Sequence, residues 1–171
     1  MKSKADLILK GLLAVLVTAL GWVIVSTIHE HVVVVGDSAP NFRITSDQGR
    51  TISPKDFGGK VLVLNFWASW CPPCVEEVPS LNRFARETAS SGVVVLGVSI
   101  DKNPQLYKQF RDRFHLDFQT FRDPDENISA SYGTFKIPET YIIDRNAKVV
   151  RKIISNTDWT DPEMVRFVTS L

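Results

Sequence analysis

Cys71 and Cys74 are the residues best suited to chemistry in this chain, and they are its only cysteines. Pro72 and Pro73 separate them. A thiolate, not a thiol, is the nucleophile in disulfide exchange. The residues before the pair, 61–67 (VLVLNFW), form an apolar run of the kind that fills a strand buried on both faces. The residues after it read as a helix, so Cys71 falls at a helix start. Unpaired N–H groups and the helix dipole favour negative charge there, which lowers a thiol pKa below its free value of about 8.5. Two prolines fit the first turn, where missing N–H donors cost little. The expected sequence of events is attack by Cys71 on a partner disulfide, then displacement of the partner by Cys74. A zinc half-site is the rival reading, but zinc takes four ligands and there is no second Cys-x-x-Cys. Two inert core thiols would have no reason to sit as a pair at a helix start beside two prolines.

The helix after the pair supplies a further candidate. At about 100° per residue, Val78, Leu81 and Ala85 share the face of Cys74, Glu77 lies inside the apolar arc and Glu76 on the opposite side. A carboxylate facing the core should be desolvated, with its pKa raised, and able to take the proton of Cys74. The alternative is a surface glutamate at the edge of the stripe. Pro79 falls inside this helix, where a kink is expected.

Positioning these residues needs a sheet. Residues 42–45 and 50–53 read as short strands around Asp47-Gln48-Gly49. Residues 93–100 (VVVLGVSI) form a second buried strand, after a helix that reaches about Ser90 and is closed by Ser91-Gly92. A helix follows over 104–115, with Asn103 as N-cap and Pro104 at its first position. Residues 120–122 suit a short strand and 128–132 a short helix ended by Gly133. Residues 140–144 and 149–154 flank Arg145-Asn146-Ala147 as a hairpin. A last helix over 161–170 starts at Asp161-Pro162. Alternating buried strands and helices, closed by a hairpin, indicate an α/β sandwich with a mixed sheet. Ile137-Pro138 stands just before a strand, a position that tolerates proline.

The N-terminus is of a different kind. Residues 11–28 carry no charge, close to the ~20 residues that span a bilayer. Lys2, Lys4 and Lys10 precede them, and no Lys or Arg follows until Arg43. The positive-inside rule then keeps residues 1–10 in the cytoplasm, makes 11–28 a transmembrane anchor and sends the remainder across. A cleaved signal peptide would have a shorter apolar region and a small-residue cleavage site. Residues 29–36 read as a linker, with His29-Glu30-His31 as a polar interface segment rather than a metal site, and 37–171 as the folded domain.

Composition excludes other classes. The formal net charge is +1, with 44% hydrophobic and 23% charged residues. That is an ordinary globular composition, without a basic footprint for nucleic acid.

Trp67-Ala68-Ser69-Trp70-Cys71-Pro72-Pro73-Cys74 after a buried strand, Pro79 within the helix, and Ile137-Pro138-Glu139-Thr140 before a strand together resemble the thioredoxin fold. The Ala39-Pro40-Asn41-Phe42 segment and the anchor are similar to the TlpA/ResA/CcmG (DsbE) type of extracytoplasmic thiol–disulfide oxidoreductase, over residues 36–171. The resemblance implies a three-layer sandwich and, on the periplasmic side of a bacterial membrane, a protein-disulfide reductase. It implies Cys71 as exposed nucleophile, Cys74 as resolving thiol and Glu77 as buried active-site acid. Pro138 would be a cis-proline facing the pair, with Trp70, Pro72, Pro73 and Ile137 beside it as the substrate-docking surface. It implies no metal and no cofactor beyond the pair, apocytochrome c or similar secreted proteins as substrate and a CcdA/DsbD-type membrane protein as electron donor. Three rivals remain: an oxidant that makes disulfides, a peroxidase of the peroxiredoxin-related group and a copper-binding assembly factor. The Thr-x-x-Cys setting of the peroxidases is absent, and the short cysteine spacing speaks against copper.

Overall fold

The structure is a computed structural model and describes residues 3–28, 32–45 and 51–171. Two compact units divide the chain, residues 1–31 and 32–171.

In the first unit, helix α1 spans Lys4–Ile28. Its segment Asp6–Ile24 has a mean hydropathy of 2.3 and none of it is buried in protein. Its apolar side chains cover no core, and at ~1.5 Å per residue its length suits the ~30 Å hydrocarbon layer of a bilayer. It is a helix long and apolar enough to serve as a membrane anchor. It starts before residue 11, because Lys4, Asp6 and Lys10 all lie on it. His29-Glu30-His31 and Asp47-Gln48-Gly49 lie outside the described residues.

The second unit is built on a five-stranded sheet in the order β5-β4-β3-β6-β7. Its strands are β3 (Val61–Trp67), β4 (Val93–Ser99), β5 (Gln119–Arg122), β6 (Glu139–Ile143) and β7 (Val149–Ile154). β3 is central, parallel to β4 and antiparallel to β6, and all seven of its residues are buried. This double-sided burial explains its apolar run. A two-stranded ribbon, β1 (Ile44–Thr45) with β2 (Thr51–Ile52), stands apart from the sheet.

The side chains of β3 alternate between two cores. Leu62, Leu64 and Phe66 join Ile44, Ile52, Ile128 and Val33 on one face. Val61 and Val63 face Leu81, Phe84, Trp159 and Val168 on the other. That second face is covered by α2 (Pro72–Thr88), which carries Leu81 and Phe84, and by α5 (Pro162–Thr169), which carries Val168. Helix α3 (Pro104–Phe114) joins this side through Tyr107 and Phe110, which meet Trp67, Cys71 and Cys74. The short helix α4 (Asn127–Ser131) contributes Ile128 to the first core. The result is the three-layer, thioredoxin-like arrangement with a mixed sheet.

Several boundaries differ from the sequence reading. The folded unit begins at Val32 rather than at residue 37, so the last five residues of the expected linker belong to it. Val33 is buried and its N–H donates to the Tyr132 carbonyl at 3.2 Å, while Gly36 N–H reaches the Val149 carbonyl at 2.8 Å. Those partners, at the end of α4 and on β7, lie 99 and 113 positions away and leave no local signature. Helix α2 runs as one element through Pro79, ends at Thr88 and tightens into a 3-10 turn over Ala89–Ser91. Gly92, at φ 77°, supplies the left-handed residue that closes it. A second 3-10 turn, Pro54–Phe57, had no counterpart in the sequence reading.

Candidate active site

The chain leaves β3 at Trp67 and enters α2 at Pro72, and the turn between them sets the site. Cys71 N–H donates to the Ala68 carbonyl at 3.2 Å, closing this turn. Cys71 then occupies the N-cap of α2 in extended backbone geometry (φ −97°, ψ 105°), followed by Pro72 and Pro73 in the first turn. Its Sγ accepts the Cys74 N–H at 3.3 Å. A sulfur takes the place usually held by a Ser or Asp oxygen, so the charge-favouring end of the helix points at Cys71. Cys71 and Cys74 form a disulfide with their Cα atoms 5.3 Å apart.

Cys71 is 4% exposed and Cys74 1%. The expected exposed nucleophile is therefore covered in the disulfide state, though Cys71 remains the more accessible residue of the two. Part of the cover is the Ile137 carbonyl, 3.7 Å from Cys71 Sγ. The Ile137-Pro138 peptide bond is cis. Pro138 is buried, and its own carbonyl accepts Ser155 N–H at 2.9 Å. Of the expected docking residues, Trp70 and Pro72 are exposed and Pro73 and Ile137 half-buried. What this segment offers an incoming chain is thus the Ile137 backbone more than the Pro138 ring.

Glu77 lies one turn beyond Cys74 and is 3% exposed. Its Oε1 accepts from Asn65 Nδ2 at 2.8 Å, and its Oε2 from Trp159 Nε1 at 3.4 Å. Asn65 Nδ2 also donates to Thr140 Oγ1 at 2.9 Å, its cross-strand neighbour on β6. Burial pushes the Glu77 carboxyl up to about 7, and the hydrogen bonds from Asn65, Trp159 and the Thr157 backbone only partly oppose this. The group therefore changes protonation near neutral pH, as a proton acceptor for a neighbouring thiol requires. Glu76 is exposed, as its place on the helix wheel dictates.

The sequence reading missed the partners that hold this arrangement. Asn65 is the one polar residue in an apolar strand, which is a usable signal. Trp159, fully buried in the loop before α5, gave none. Asp101, just after β4, is 1% exposed and grips the redox turn. Its Oδ2 accepts Ser69 N–H at 2.9 Å and Ser99 Oγ–H at 2.6 Å, and its Oδ1 accepts Ser69 Oγ–H at 2.7 Å. Glu139 lies on the opposite face of β6 from Asn65 and Glu77, buried and paired with Lys152 Nζ at 2.7 Å. Among the described residues no group of His, Cys, Asp and Glu side chains is arranged to hold a metal ion.

A cysteine pair opening the helix after the central strand, on this sheet, defines a thiol–disulfide oxidoreductase of the thioredoxin fold. Comparison with known proteins reaches the same class from an independent direction. The chain belongs to the AhpC/TSA family, whose pattern matches residues 35–152. It is 34% identical to the thiol-disulfide oxidoreductase ResA of Geobacillus thermodenitrificans over 160 residues, 92% of this chain and 91% of that protein. It is 31% identical to ResA of Bacillus subtilis, over 92% of this chain and 89% of that one. Among solved structures, a thiol:disulfide interchange protein DsbE from Chlorobium tepidum superposes with a TM-score of 0.74 at 28% identity, covering 80% of this chain and 98% of its own.

Proposed function

We propose that this chain is an anchored, extracytoplasmic reductase of protein disulfides, with Cys71 as nucleophile, Cys74 as resolving thiol and Glu77 as the group that accepts the Cys74 proton. In the dithiol form, the Cys71 thiolate attacks one sulfur of a substrate disulfide. The substrate's other sulfur leaves as a thiolate and takes a proton. Cys74 gives its proton to Glu77 and attacks Cys71, forming the Cys71–Cys74 bond and freeing the second substrate thiol. Two electrons pass from the pair to the substrate, and the pair is the only redox group required. The observation that carries this reading is the Cys71 sulfur capping α2, with the buried Glu77 carboxyl one turn past its partner thiol.

The substrate class follows the ResA and DsbE relatives: cysteines of apocytochrome c or of other exported proteins. A CcdA/DsbD-type membrane protein would restore the dithiol, and α1 would hold the domain where both can be met, with the N-terminus in the cytoplasm. The reduction potential of the pair decides the direction. A value well below the glutathione poise supports a reductase, whereas one near −120 mV, the strongly oxidising end of the scale, would make the chain an oxidant. Reaction of the reduced protein with an oxidised apocytochrome c haem-site peptide, abolished in Cys71→Ser, tests the substrate.

A further inference from the structure

Two cavities open beside the redox pair on the side of α3. One, of about 360 Å³, is lined by Trp70, Ile100, Lys102 and Leu106 among others. The other, of about 290 Å³, is lined by Ser69, Val75, Phe110, Arg113, Phe114 and again Leu106. Trp70 immediately precedes Cys71 and Val75 immediately follows Cys74. Trp70 is 62% exposed and Leu106 45%, so two large apolar side chains that line one cavity stand in solvent, one of them the residue before Cys71. Singly exposed apolar residues are common, but a pair lining a cavity beside a reacting group marks a contact surface.

We infer that this α3 face seats the segment of the protein substrate that flanks its reactive cysteine, and that it selects an apolar side chain near Leu106 and an acidic one near Arg113. The inference rests on the reading of the site as one that exchanges with protein disulfides. A substrate in mixed disulfide with Cys71 meets the Ile137 carbonyl, 3.7 Å from the sulfur, and its flanking residues then reach the rim formed by Trp70 and Leu106. Alternate side chains of an extended segment lie on one side of it, roughly 7 Å apart, which lets two of them straddle a single leucine. Leu106 is the common wall of the two cavities.

Charge fixes the occupant of the second cavity. Arg113 is the only charged residue that lines it. Its guanidinium lies 5.2 Å from the Phe114 ring centroid, which orients it while leaving the charge uncompensated by that contact. Lys108, Arg111 and Asp112 of α3 lie about 120–200° round the helix from Leu106 and do not line this cavity, so its positive charge is that of Arg113. The first cavity already holds both signs, with Lys102 Nζ 3.6 Å from Glu126. A carboxylate in the substrate therefore finds its complement at Arg113 and an apolar side chain between Trp70 and Leu106.

The test uses the reduced protein and peptides whose single cysteine is in mixed disulfide with glutathione, followed in stopped flow. The peptides carry Glu, Gln or Lys, or separately Leu or Gly, two and four residues from the cysteine on either side. Wild type should prefer Glu over Lys by about 3-fold or more at low salt, and the preference should fade as salt screens it. Arg113→Glu should invert that order. Leu106→Ala should remove a preference for Leu over Gly of about 10-fold. Because each readout is a ratio between two peptides on one protein, a merely structural defect slows both and leaves the ratio standing. Ratios near one in wild type, or ratios untouched by Arg113→Glu and Leu106→Ala, overturn the docking assignment while exchange itself stands. Failure of the reduced protein to react with any of these peptides overturns the exchange reading beneath it.

Discussion

Asn65 and Glu77 meet across the sheet–helix interface, the Asn65 amide donating to the Glu77 carboxyl at 2.8 Å. One residue belongs to the central strand and the other to the helix opened by the cysteines. The bond fixes where the buried carboxyl sits relative to Cys74, and burial sets when it ionises.

Glu77 should impose its titration on the second half of the reaction. With its carboxyl pushed up to about 7, release of the substrate from the Cys71 mixed disulfide should accelerate as pH rises through 7. Glu77→Gln should slow that step by about 100-fold, the low end for general base catalysis, and leave it without this inflection. Single-turnover rates from pH 5 to 9 provide the measurement, and an inflection surviving in Glu77→Gln would sink the assignment.

The same group makes stability pH-dependent. A carboxyl raised from 4.5 to about 7 on folding binds its proton more tightly in the native state. Its contribution is complete below pH 4.5 and is lost as pH rises through 7, a change of roughly 3 kcal/mol. Urea unfolding of the oxidised protein should show this decline, and Glu77→Gln should flatten it.

Asp101→Ala should cost about 2 kcal/mol, because it orphans the buried Ser99 donor and the half-buried Ser69 donors that the carboxylate now satisfies. It should also loosen the turn that presents Cys71, raising the pKa of that thiol in the reduced protein. Iodoacetamide alkylation rates against pH would register the change. An alkylation profile equal to wild type would mean that Asp101 does not position the redox turn.

Gly97→Ala should destabilise the sheet by about 1–3 kcal/mol, the range for overpacking. A Cβ at Gly97 would come within 2.9 Å of both Trp67 Nε1 and the Phe118 ring. Trp67 in turn stacks on Tyr107 and packs at a tilt against Phe110 of α3, so the crowding should pass to the helix that borders the site. A lowered urea midpoint at unchanged m-value is the expected result.

Replacing one cysteine at a time separates the two thiols. Cys71→Ser should abolish exchange, whereas Cys74→Ser should retain attack and accumulate a stable mixed disulfide that non-reducing gels resolve. The opposite outcome would exchange their roles.

Much of the site was legible in the sequence because its logic is local. Two cysteines three positions apart, two prolines and the direction of a helix suffice to put Cys71 at a positively polarised end. The helix period suffices to turn Glu77 inward and Glu76 outward, as found. The apolar runs gave β3 and β4, and Asn103 and Asp161 marked helix starts, where they now accept Gln105 and Glu163 N–H groups. Tertiary structure alone decided what surrounds these residues. The Asn65–Thr140 bond spans 75 positions, the Trp159–Glu77 bond 82 and the Ser69–Asp101 bonds 32. Strand register and helix packing bring such pairs together, and neither is encoded in the spacing of residues along one element. The pKa of Glu77 is a tertiary property for the same reason, since it depends on how much water the whole fold removes from one carboxyl.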